Sequence, residues 1–185
     1  TKNFVINSTT GKITVAQGAV FDYETVSKVY YLKVTVKDHG DPSLSASALV
    51  TINVVDEPEP PEIENKTPNF TVEENSPVDT EIGKIVVHDK DENESFMFSL
   101  IDTSGFFKIS YVDSIATIKV KSGAKLDYEN VAKYEVKVVV QDKDSETDTA
   151  VVTIDVIDVN EKPTMEEQYF ELFENSGANY KLDGT

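Results

Sequence analysis

Cysteine and tryptophan are absent from this chain of 185 residues. Without cysteine there can be no disulfide, no thiolate metal site and no cysteine nucleophile. The compartment stays open on that ground, because many extracellular β-domains carry no disulfide. Without tryptophan the chain lacks the aromatic platform of a sugar cleft, so its paired carboxylates do not read as a glycosidase. Histidine occurs twice, as His39 and His88. Neither belongs to a spaced metal pair, and both sit beside aspartates at expected strand ends, as surface residues do. Positive charge is scarce: 17 basic residues face 34 acidic ones, a net charge of −17. Nucleic acids and anionic membrane surfaces need a basic face, so both are excluded as partners. There is no apolar run of eighteen residues to span a membrane and no signal-peptide pattern. No Gly-rich phosphate loop and no Ser–His–Asp set can be assembled, so no enzyme and no small-molecule substrate is expected.

What is present is organised. Hydrophobic residues make up 39% of the chain, enough for small sandwich cores and too many for disorder. Four glycosylation sequons begin at Asn7, Asn65, Asn69 and Asn93, which leans towards secretion. The chain is self-similar. Tyr30–Asp38 aligns with Tyr134–Asp142, Ala48–Asp56 with Ala150–Asp158, and Val72–Ser76 with Leu172–Ser176. The repeat is therefore about a hundred residues long. Residues 1–59 read as the later part of one repeat, 60–161 as a complete repeat and 162–185 as the start of a third. The chain opens in mid-pattern, as a piece of something longer would.

The local pattern is strand. Tyr134, Val136, Val138 and Val140 alternate with Glu135, Lys137 and Gln141, a period of two. Tyr30 to Val36 and Val152 to Val156 do the same, and β-branched residues are abundant. Further strands are predicted over 82–87, 96–101 and 115–120. Gly105, Gly123 and 89–93 read as turns, and the serine-rich segment 43–47 reads as a hairpin loop. Tyr30, Tyr134, Phe106 and Phe107 read as core residues. No helix is predicted, and Pro58, Pro60 and Pro61 predict a stiff, extended connection. Short strands at regular spacing make an all-β antiparallel sandwich.

The acidic residues recur with the repeat. Phe21-Asp22-Tyr23-Glu24 returns as Leu126-Asp127-Tyr128-Glu129. Val55-Asp56-Glu57-Pro58-Glu59 returns as Ile157-Asp158-Val159-Asn160-Glu161. Glu74 and Glu174 each precede an asparagine near a first strand, and Asp89-Lys90-Asp91 repeats the two-residue spacing in a loop. In an extended stretch, carboxylates two residues apart point the same way and reach one ion. Calcium takes six to eight oxygens and tolerates irregular geometry, so its ligands can come from distant loops.

These motifs, in this order, resemble tandem extracellular cadherin repeats. The resemblance rests on Glu74-Asn75, Asp89-Lys90-Asp91, Leu126 to Glu129, Val140-Gln141-Asp142 and Asp158 to Pro163, and it covers essentially the whole chain. It implies Greek-key sandwiches of seven strands, with immunoglobulin-like topology, joined end to end with Ca²⁺ at each junction. It implies ligands at a first junction from Asp22, Glu24, Asp56, Glu59, Asp89, Asp91 and Asp142. At a second it implies Glu74, Asp127, Glu129, Asp158, Asn160 and Glu161. Asp38 would serve a junction upstream and Glu174 one downstream. The family linker commonly reads Asp-X-Asn-Asp-Asn. Here Pro58 stands at the first Asn position and Glu161 at the second Asp position, and the last Asn is missing. Fewer or looser ions are expected at the Pro58 junction.

The function implied is a calcium-rigidified, cell-surface adhesion ectodomain. Its partner would be another cadherin-type ectodomain, homophilic or heterophilic, and its membrane anchor would lie outside this segment. An extracellular spacer or filament module uses the same ligands and is the competing reading. A microbial surface repeat is a third.

Overall fold

The computed structural model describes residues 3–170, together with 172, 174, 176–179 and 181. Among these residues there are twelve strands and no helix. The first four form two hairpins. β1 (Phe4–Ile6) pairs with β2 (Ile13–Val15), and β3 (Val29–Lys37) pairs with β4 (Ser45–Asn53). Register places Tyr30 opposite Ile52, Leu32 opposite Val50 and Val34 opposite Ala48, so alternate residues build one apolar face. Phe4, Phe21 and Tyr30 pack ring against ring, with centroids 5.2–5.6 Å apart. This core is thin. Leu32 is the one buried side chain among its described residues, and Tyr30 is only half-buried. The serine-rich segment is mostly strand: Ser45, Ala46 and Ser47 open β4, and only Ser43 and Leu44 turn the corner. The Thr35 and Ser47 hydroxyls bond across the ladder at 2.8 Å, which favours pairing over a loop.

Eight further strands form a sandwich. They are β5 (Glu62–Ile63), β6 (Asn69–Glu73), β7 (Glu81–His88), β8 (Met97–Ile101), β9 (Phe107–Val112), β10 (Ile115–Val120), β11 (Lys133–Gln141) and β12 (Thr147–Ile157). One sheet has the order β5-β7-β10-β9 and the other β6-β12-β11-β8. The count exceeds seven because the opening strand breaks between Ile63 and Asn69 and changes sheet. β5 runs antiparallel to β7, whereas β6 runs parallel to β12. Pro68, buried at the break, donates no amide, yet its carbonyl accepts from Thr153 N at 3.0 Å.

The core lies between the sheets. Ile118, Val138, Val152 and Ile154 are wholly buried there, with Ile63, Val87, Val120 and Val136 nearly so. Each such side chain contributes about 1.5–3 kcal/mol relative to exposure. Phe107 is buried, while Phe106 and Tyr134 pack half-buried against the cluster with ring centroids 5.8 Å apart. Where β7 passes β6 its backbone lies hard against a β6 side chain. Gly83 lies beneath the Phe70 ring, and the β7–β10 register shifts between Ile118 and Lys119 at the same level. The Gly123 turn has φ of +83°, a conformation that costs little only without a Cβ. Both ends of the sandwich are loops, and the acidic motifs sit there.

Candidate metal centre

The Asp-Tyr-Glu motif is folded as a turn, not as an extended stretch. Val26 N donates to Asp22 O at 2.9 Å, and Asp22 Oδ1 accepts from Glu24 N at 3.2 Å. The second copy does the same. Val131 N donates to Asp127 O at 2.9 Å, and Asp127 Oδ1 accepts from Asn130 N at 3.0 Å. In each copy one aspartate oxygen holds the turn, and the glutamate reaches outward into a carboxylate group.

At the first of these groups the glutamate is Glu24. Oxygens of Glu24, Asp56, Glu59 and Asp91 all lie within 4.8 Å of one another. They come from three segments: the turn after β2, the connection after β4 and the loop after β7. The connection is pinned to the loop, since Glu59 N donates to Asp91 Oδ2 at 3.1 Å. Asp91 N in turn donates to Asp89 Oδ1 at 3.0 Å. Three oxygens here, Glu24 Oε2, Glu59 Oε2 and Asp89 Oδ2, are buried without a hydrogen-bond partner. A buried, unpaired carboxylate oxygen is costly, and the four clustered carboxylates could hold a cation. The donors are all oxygen, which suits a hard ion such as calcium and not zinc. A cleft of roughly 500 Å³ opens beside them, lined in part by Tyr23, Lys28 and Pro58.

The titration behaviour follows the crowding. Burial, then the carboxylates of Asp22, Glu59 and Asp56, push Glu24 above its ordinary range. Burial, then the charges of Glu94, Asp91 and Asp142, do the same to Asp89. At Asp22 burial pushes upward but is outweighed by hydrogen bonds from Thr25 and Glu24 and by the charge of Lys90, so it is held below that range. Asp142 is buried and its Oδ1 accepts from Glu146 N at 2.9 Å, closing the β11–β12 turn. Of the seven residues expected at this junction, four converge, while Asp22, Asp89 and Asp142 brace the loops around them.

The second group joins Glu74, Glu129 and Asp158 within 4.8 Å. Glu74 is 2% exposed. Its Oε2 accepts from Tyr128 N and its Oε1 from Val159 N, both at 2.8 Å. Those two amides hold its carboxyl below the ordinary range despite burial. One side chain thus ties the end of β6 to the Asp127–Glu129 turn and to the segment leaving β12. Asp127 is exposed and outside this group, Asn160 is exposed in the segment leaving β12, and Glu161 accepts from Asn75 Nδ2.

The remaining expected ligands stand apart. Asp38 Oδ1 accepts from Leu44 N at 2.8 Å and Gly40 N at 3.1 Å, then from the Ser43 hydroxyl at 3.3 Å. It caps the β3–β4 turn. Glu174 lies exposed in a turn, outside both groups. The four sequon asparagines are exposed, as are His39 and His88. Sequence reasoning missed Glu94, Lys143 and Asp144, which gather beside Asp91. For Lys143 and Asp144 the available signal was the tripeptide Asp142-Lys143-Asp144, which repeats the sequence of Asp89-Lys90-Asp91; Glu94 had none.

Comparison with known proteins places this geometry. The cadherin domain family matches residues 68–157. Cadherin-87A of Drosophila melanogaster is 33% identical over 167 residues, covering 85% of this chain and 8% of that protein. The cis-dimer structure of protocadherin gammaB7 EC3-6 matches with TM-score 0.62 and 30% identity, over 92% of this chain and 40% of that one. Mouse cadherin-23 EC22-24 shares the fold with TM-score 0.67 at 24% identity, over 99% of this chain and 60% of that one. This chain spans less than a tenth of the length of the first curated relatives it matches.

Proposed function

This chain belongs to the cadherin superfamily, and from that premise we propose that it is part of an extracellular, calcium-dependent adhesion ectodomain. Residues 1–59, 60–161 and 162–185 are the late part of one repeat, a complete repeat and the start of the next. Ca²⁺ bound at the junctions stiffens the array into a rod. The partner is another cadherin-type ectodomain, and the membrane is reached through an anchor elsewhere in the protein.

One observation carries this reading: four carboxylates from three segments converge within 4.8 Å, two of them with a buried oxygen that has no partner. Unit charges 4 Å apart repel by about 1 kcal/mol even at the dielectric of water. A cation held among them would offset that repulsion. Bound there, Ca²⁺ supplies the missing partner and neutralises the repulsion. The residues of the chain do the positioning. Asp22 shapes the turn that presents Glu24, Asp91 holds the connection through Glu59 N, and Asp89 orders the loop through Asp91 N. Pro58 offers no side-chain oxygen, so this junction holds fewer or looser ions than the family norm. Glu74, Glu129 and Asp158 form the near half of that second site, with Asp127, Asn160 and Glu161 around it.

Calorimetric titration of the chain with Ca²⁺ tests the first junction. Saturable binding that Asp91→Asn and Glu24→Gln each weaken at least about tenfold, the factor that 1.4 kcal/mol represents, is the expected result. Absence of binding at millimolar Ca²⁺ would sink the proposal. Bead aggregation by the full ectodomain, with and without Ca²⁺, separates adhesion from a spacer role.

A further inference from the structure

Asp91, Glu94 and Asp144 form a third carboxylate group, with oxygens within 4.8 Å of one another. This one is already occupied. The Lys143 ammonium pairs with Glu94 Oε1 and lies 3.7 Å from Asp144 Oδ2. We propose that Lys143 is a tethered cation that fills this group in place of a metal ion, so that the group becomes a divalent-cation site only when the lysine is removed.

Burial separates this cluster from an ordinary solvated one. The Glu94 side chain is 4% exposed, and its Oε2 is buried with no hydrogen-bond partner. A carboxylate so enclosed needs a positive charge beside it. The Lys143 side chain is 44% exposed. Half-exposed as it is, it still brings its ammonium onto the enclosed Glu94 carboxylate. One ammonium satisfies Oε1 and leaves the buried Oε2 without a partner of its own. The lysine holds its place because it is attached: a tethered group acts at high effective concentration, whereas a free ion must be drawn from solution. Asp91 belongs to both this group and the Glu24 group. Lys143 thus confines metal to the inter-segment side of Asp91 and keeps it off the side that faces only the sandwich. The repeat alignment does not reveal this device, because Gly40 stands where Asp144 would recur.

The inference deepens the junction reading above and rests on carboxylate groups at this end of the sandwich being cation sites. It is tested by counting Ca²⁺ by calorimetry and Tb³⁺ by tyrosine-sensitised luminescence in the wild type and in variants of the whole chain. Lys143→Gln is expected to bind one more ion than the wild type. Lys143→Arg should keep the wild-type count, and Lys143→Gln with Glu94→Gln should return to it. An unchanged count and unchanged affinities in Lys143→Gln overturn the proposal. Where Lys143→Gln does not fold, Glu94→Gln alone decides. It should leave the wild-type count intact, and loss of an ion would mean that Glu94 already ligates metal beside the lysine. The absolute count in the wild type judges the junction proposal, and the difference between variants judges this one, so each can fail alone.

Discussion

Replacing Gly83 by alanine puts the closeness of the two sheets to the test. A Cβ built at Gly83 lies 2.4 Å from Phe70 Cγ and 2.5 Å from both Cδ atoms. Ordinary carbon contacts begin near 3.5 Å, so the ring must retreat by about 1 Å. It cannot do so freely, because Phe70 is paired with Ile154 in the β6–β12 ladder and packs against the buried cluster. Overpacking of this kind costs about 1–3 kcal/mol. Against that stands a gain of roughly 0.5–1 kcal/mol from removing a strand glycine. The net runs from about zero to a loss of about 2.5 kcal/mol with a midpoint of about 1.3 kcal/mol, which at the midpoint lowers Tm by about 5–10 °C for a domain of this size. Thermal and urea melts followed by circular dichroism measure it. The decisive arm is the sign in a second background. With Phe70→Ala, or Phe70→Leu should the alanine variant not fold, Gly83→Ala should become neutral or mildly stabilising. An equal loss in both backgrounds would refute the reasoning, since the penalty would then not come from the ring.

Chelation of calcium with EDTA should expose the segment 54–61 to proteases, with cleavage rising about tenfold or more when the metal had been at ten times its Kd; unchanged cleavage counts against a metal-held junction. Glu74→Gln keeps one acceptor but turns an NH₂ towards the amides of Val159 and Tyr128. Amide exchange by NMR should accelerate at one or both of those positions and stay unchanged in β11. Asp155 is held below its ordinary value of 3.8 by Lys133 and Asn69. Its contribution is therefore complete above that value and is lost as pH falls through its depressed one. Tm should decline below about pH 4, more gently in Asp155→Asn, and identical slopes would discount the pair.

Much of the sandwich is legible in the sequence because one face of each strand is buried. The strands predicted over 82–87 and 115–120 lie within or match β7 and β10, where alternation is plain. β9 carries the same alternation, Phe107, Ile109 and Tyr111 against Lys108 and Ser110, so its strand is open to the same reading although none is predicted there. β5 has two residues and exists only through its pairing with Glu81–His88, a tertiary fact that no local pattern encodes. The acidic turns are legible through their repetition, though not the division of labour inside them. Which residue holds the backbone and which reaches outward depends on turn geometry. Glu94 carries no mark in sequence, because an isolated glutamate between Asn93 and Ser95 reads as a solvated loop until its burial is known.

The break that lets the opening strand change sheets has a mechanical consequence. β6 lies near the beginning of the sandwich and β12 at its end, and they run parallel with Thr153 to Ile157 facing Asn69 to Glu73. Tension applied to the two ends of the unit would draw these strands in opposite directions along their own axes. Their hydrogen bonds would then share the load in shear instead of unzipping in succession, so a pull along the array would fall first on this short ladder.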